Sequence, residues 1–168
     1  MWGGAPQPAA RAAAPTEHEV KAVFLFNFSH FVAWPAEAFG STTEPFVIGV
    51  LGNGEIAGQL DRAIRGENVD GRPLQVRRYG SAAEVGGCQI LFVDRSEVAG
   101  LERILPRLQA AHTLTVSDAE GAARRGVMIQ MVHDRSRIRL LINLAMAQAA
   151  GLSISSNLLR PAEIVTAN

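Results

Sequence analysis

A single cysteine, a single lysine and no net charge set the first limits on this chain. With Cys88 alone there is no intrachain disulfide, so cysteine content cannot separate an oxidising compartment from a reducing one. Sixteen basic side chains balance sixteen acidic ones, and the arginines are scattered, so the concentrated positive surface that nucleic acid requires is missing. No apolar run reaches the roughly eighteen residues of a membrane-spanning helix. His18, His30, His112 and His133 show none of the close spacings of zinc ligands. Lys21, the only lysine, follows no serine at the spacing that would activate it, and no Gly-x-Ser-x-Gly occurs. The expectation is a protein without enzymatic activity, cofactor, metal or nucleic-acid partner.

What is present fits one globular domain. Apolar residues make up 48% of the 168 and charged residues 19%. Residues 1–16 are rich in Gly, Pro and Ala without periodicity and are expected to be a disordered segment or the remnant of a signal, leaving one domain over 17–168. They lack the basic start and continuous apolar stretch of an intact signal peptide. Two settings remain open: a cytosolic protein, or a mature form whose export signal is gone.

Along the chain, Glu17 to Trp34 reads as a helix that Pro35 helps to stop, apolar on nearly every face. Phe46–Leu51 reads as a strand closed by Gly52-Asn53-Gly54, and a helix follows from Glu55 to Arg65. Arg72–Tyr79, Gln89–Val93 and Thr113–Val116 are further strands. Ser96 can cap a helix from Glu97 in which Pro106 predicts a kink or early end. A short helix is expected over Asp118–Arg125. Val127–Val132 and Ile138–Ile142 have hairpin spacing. Asn143–Ala150 reads as a helix stopped by Gly151, and Ser155 or Ser156 can cap a last turn through Asn157–Arg160. Strands alternating with helices predict a three-layer α/β/α sandwich with a mixed, mostly parallel sheet of five or six strands.

Several segments, in order, resemble the YfiR-like family: VKAVFLFNFSHFVAWP (20–35), FVIGVLGNGEIAGQL (46–60), CQILFV (88–93), HTLTVSD (112–118), GVMIQMV (126–132) and INLAMAQAAGLSISSNLLRPAEIV (142–165). The first and last are the most specific, because an aromatic-Asn-Phe before Trp-Pro and Gly-Leu-x-Ile-Ser-Ser-x-Leu-Leu are not general fold signals. The resemblance implies an exported, periplasmic regulator with a cleaved signal. It implies restraint of a membrane-bound diguanylate cyclase through the cyclase's periplasmic sensor region, and a peptidoglycan-associated outer-membrane partner that relieves the restraint. Named members use cysteine pairs, whereas here Cys88 stands alone.

Two groups of residues are candidate sites. Phe26, Phe28, Phe31 and Trp34 give the first helix more apolar surface than one sheet face can cover, so a homodimer or a patch awaiting a partner is expected. Asn53, Asp94, Arg95, Ser117 and Asp118 follow strands and should face the crevice at the carboxyl edge of the sheet, the usual ligand position in open α/β folds. That crevice is the basis of the rival reading, a small-molecule binding protein. Asp118 also stands where it could cap the helix expected after it. Gly52-x-Gly54-x-x-x-Gly58 follows a strand but is one residue longer than the common dinucleotide fingerprint, and a tight turn needs glycine anyway.

The lone cysteine yields the first prediction. With no loop to close, reducing agent has no unfolded-state effect to remove. The melting temperature of the wild-type monomer should therefore be unchanged by reductant in a thermal scan, and a Cys88→Ser variant should remain folded.

Overall fold

Glycine turns and capped helix starts partition the chain into the elements of a computed structural model that describes residues 3–4 and 14–166. Residues 1–2 and 5–13 of the expected disordered segment lie outside those described. The elements run α1 (Glu17–Phe31), β1 (Val32–Ala33), β2 (Phe46–Leu51), α2 (Gly54–Ala63), β3 (Asn68–Val69), β4 (Arg72–Tyr79), β5 (Ile90–Val93) and α3 (Leu101–Ala110). They continue with β6 (Leu114–Ser117), β7 (Ile129–Asp134), β8 (Arg137–Ile142), α4 (Leu144–Ala149), β9 (Ser153–Ile154), α5 (Ser156–Leu159) and β10 (Glu163–Ile164).

The main sheet has the order β10-β8-β7-β6-β5-β2-β4-β3. Strands β4, β2, β5, β6 and β7 are parallel, and β8 closes antiparallel on β7. The central strands FVIGVL, ILFV and LTVS are buried at every position, as strands covered on both faces must be. On one face, Leu25 and Phe28 of α1 and Ile56 and Leu60 of α2 pack with Ile48, Ile90 and Phe92. On the other, Leu101, Ile104 and Leu108 of α3 pack with Leu51, Leu91 and Val93. The three-layer sandwich is therefore the fold, with a mixed and mostly parallel sheet.

The sheet has eight strands rather than five or six. β3 and β10 are two-residue ladders, too short for alternation to mark them. Helix α1 ends at Phe31 instead of Trp34, because Val32 and Ala33 extend to pair antiparallel with Ile154 and Ser153. The helix expected over Asp118–Arg125 is only a 3₁₀ turn, Ala123–Arg125, bounded by Gly121 and Gly126 at φ 77° and 108°. Asp94, not Ser96, caps the turn Arg95–Gly100 that leads into α3. Pro106 does not end α3, which runs on to Ala110 while Leu101, Ile104 and Leu108 hold its apolar face to the sheet. Cys88 is buried beside β5, and burial pushes its thiol up to about 11.

Phe28 requires the main correction to the candidate surface. It faces the sheet with Ala22, Leu25 and Val32 and has no exposed surface, so it is core. Phe28→Ala should cost about 3–5 kcal/mol in urea denaturation. Phe31→Ala, at the exposed border of the same helix, should cost under about 1 kcal/mol.

Candidate functional site

Because β2, β5 and β6 are parallel, Asn53, Asp94 and Asp118 arrive at the same edge of the sheet. The first two turns of α1 lie across that edge, and the single lysine fixes them there. Lys21 is only 2% exposed, and its Nζ stands 2.6 Å from Glu17 Oε1 and 2.8 Å from Asp118 Oδ2. The Asp118 side chain is itself 4% exposed. It also accepts 3.2 Å hydrogen bonds from the backbone N–H of Arg95 and from the Arg95 guanidinium.

Two cations and two carboxylates thus meet in a chain that ties α1 to the ends of β5 and β6. The hydrogen bond from Lys21 holds the Glu17 carboxyl below its ordinary range, although burial opposes the shift. The hydrogen bond and charge of Asp118 raise Arg95 above its ordinary value. Above this cluster opens a polar cavity of about 620 Å³, with Glu120, Gln130 and His133 on its other walls.

Of the five crevice candidates, Arg95 and Asp118 line this cavity together. Asn53 and Asp94 form an adjoining pair: Asn53 Oδ1 caps α2 by accepting from Glu55 and Ile56, while its Nδ2 donates to Asp94 Oδ1 at 3.3 Å. Burial pushes the Asp94 carboxyl up, but hydrogen bonds from Ser96 and Asn53 outweigh it, so it lies below the usual carboxylate range. Ser117 is fully buried, donating to Val93 O and accepting from the Ala119 N–H, and contributes nothing to the surface. Gly52 is required by its turn: its φ is 105°, and a Cβ there would stand 2.8 Å from that of Asp94. Asp118 caps no helix.

The sequence marks Lys21 as the only lysine, but neither it nor Glu17 stands among the site candidates. The signal was a lone lysine in an otherwise apolar stretch, four residues after a glutamate, which is the spacing of a helical ion pair.

The other end of α1 carries the aromatic candidates. Phe31 is 36% exposed and Val23 49%, while Phe24 and Phe26 are half-buried flanks. Phe26 stands edge-on to His30, with ring centres 5.1 Å apart. Trp34 turns inward, donating from Nε1 to Gln89 O at 3.1 Å and stacking edge-on against Phe46. Phe31 rims a cleft of about 320 Å³ with His30, Asp70, Ser153 and Ser155 on its walls. Among the described residues, no group of three or more His, Cys, Asp or Glu is placed to hold a metal ion. Nor is any helix among them long and apolar enough to cross a membrane.

Comparison with known proteins gives one family and one fold. Residues 18–163 match the family model described as DUF4154, YfiR/HmsC-like. No curated protein matches the chain. A solved structure described as the ABC domain in complex with L-Trp from Streptococcus pneumonia is similar, with a TM-score of 0.52 and 15% identity. The match covers 71% of this chain and 55% of that one, so the chain spans little more than half of the solved protein's length. At that identity the likeness is one of fold.

The ion cluster makes the next prediction. Asp118→Ala leaves a buried ammonium with one carboxylate and should cost about 3–5 kcal/mol in urea denaturation, whereas Lys21→Met combined with Asp118→Leu should recover most of that loss. Glu17 has a folded pKa below its unfolded value, so its contribution is complete above the unfolded value of 4.5 and is lost as pH falls through the lower folded one. Lys21→Met should flatten the fall of stability in that acid window.

Proposed function

The chain belongs to the YfiR/HmsC-like family, and we propose that it is a periplasmic regulatory protein that restrains a membrane-bound signalling protein, a diguanylate cyclase, by direct contact. The observation that carries this reading is the family match over residues 18–163, nearly the whole chain. The geometry supports it. Val23 and Phe31 leave an apolar flank of α1 in solvent, where a partner surface would gain by covering it. Phe31 stands at the rim of a cleft, the setting in which one aromatic side chain contributes most to an interface.

The carboxyl-edge cavity supports a ligand-binding role less well. Both of its cations, Lys21 and Arg95, are already engaged by Glu17 and Asp118. Its neighbours Asn53 and Asp94 are used in capping. The proposed contact surface is therefore the Phe31 end of α1 with half-buried Phe26, and its occupants are the periplasmic region of the cyclase, a peptidoglycan-associated outer-membrane protein that relieves restraint, and a second copy of this chain.

Phe31→Glu tests this. The side chain lies outside the core, so circular dichroism and melting temperature should stay near wild type. A charge placed in a desolvated contact should release the partner, raising cyclic-di-GMP in cells that rely on this regulator. Light scattering on the same variant reports whether a dimer uses the same face. A well-folded Phe31→Glu protein that restrains the cyclase as wild type does would place the contact elsewhere.

A further inference from the structure

The β3–β4 end of the sheet is open. β3 covers β4 only at Arg72 and Pro73, and the last backbone bond on that side runs from the Leu74 N–H to Glu67 O. Alternate residues of a strand turn their N–H and C=O to the same side. Leu74 faces outward, so Val76 and Arg78 do too, while Gln75, Arg77 and Tyr79 face β2. Among the described residues, no backbone partner meets Val76 or Arg78 on the outer side. Beside this edge lies a groove of about 460 Å³, walled by Ile64 at the end of α2, by Glu67 and Asn68, and by the side chains of Leu74 and Val76.

We infer that the outer edge of β4 is a docking site for an extended, acidic segment of a partner protein, added as a further strand with apolar side chains in the adjoining groove. Unpaired outward N–H and C=O groups supply the main-chain hydrogen bonds, and the groove reads alternate side chains. Charge selects the occupant. Arg65, Arg77 and Arg78 stand along this stretch, against Asp61 and Glu67. Arg78, on the groove face, has among the described residues only the exposed Asp61 as an ionic partner, and Arg77 projects from the opposite face with its guanidinium on Gly86 O. Pairing β4 with a second copy would set the arginines of both chains along one short ribbon, and like charges opposed across strands are unfavourable. A segment with acids opposite Arg77 and Arg78, and an apolar residue opposite Val76, meets both demands. The site is distinct from the Phe31 face and does not depend on which signalling protein is restrained.

The test uses the full chain and two capped peptides, Thr-Glu-Glu-Val-Thr-Val-Thr and the same peptide with lysine for glutamate. Backbone amide exchange is followed by NMR. The acidic peptide should slow exchange at Val76 and Arg78 by about tenfold or more, and the lysine peptide should not. Val76→Pro removes an outward N–H without touching the bonds to β2 and should abolish the protection. Arg77→Glu with Arg78→Glu should reverse the preference between peptides, which keeps the test decisive if the proline variant misfolds. Equal protection by both peptides, or none by either, overturns the inference. Protection that appears with rising protein concentration and no peptide assigns the edge to a second copy and overturns it as well.

Discussion

The salt bridge of Lys21 with Glu17 and Asp118 sets how the first helix sits, and much else follows from that helix. α1 has little amphipathic bias: apolar residues occur all round it, so burial alone favours several rotations about its axis by similar amounts. A buried ammonium does not tolerate that ambiguity. Glu17 turns with it on the helix, and only the rotation that points Lys21 at Asp118 supplies the second carboxylate. That rotation turns Ala22, Leu25, Phe28 and Val32 to the sheet and leaves Val23 and Phe31 outside. The ion cluster thus selects which aromatic residue is core and which is surface, a role in specificity more than in net stability.

Much of this architecture was legible in the sequence because it rests on strong local signals. Runs such as ILFV with both faces apolar, the Gly52 turn, the Gly151 stop, and the hairpin spacing around Arg135-Ser136 each state one conformation. The parallel order follows from their alternation with helices. What was not legible depends on partners distant in the chain. The two-residue strands β1, β3, β9 and β10 have no periodicity of their own and exist because a neighbouring strand presents free backbone groups.

The same distinction separates the site residues. Asp118 and Arg95 were found because their positions after strands place them at one edge whatever their contacts. Asn53 and Asp94 arrived at that edge too, but their short side chains reach local backbone donors first and are used up as caps. Lys21 came from the opposite direction, down a helix that crosses the sheet, and 97 positions separate it from Asp118. Nothing local in the sequence pairs them. Phe28 and Phe31 show the limit most clearly: both are phenylalanines on one helix, and three residues' rotation makes one core and the other surface.

The proposed contact role fits this arrangement. Strands β2, β5 and β6 hold the core by burial on both faces, so they have no surface to offer a partner. The exposed features lie on peripheral elements: the Phe31 end of α1, ten residues or roughly 15 Å along the helix from Lys21, and the outer edge of β4. A substitution at Phe31 changes an exposed surface without reaching the packed centre. Phe31 can vary with the partner while Leu25 and Phe28 keep the helix on the sheet. On β4, Arg78 can likewise change, while Leu74 and Val76 pack against the core. Exposed and packed residues thus alternate within the same elements, so a change at one need not disturb the other.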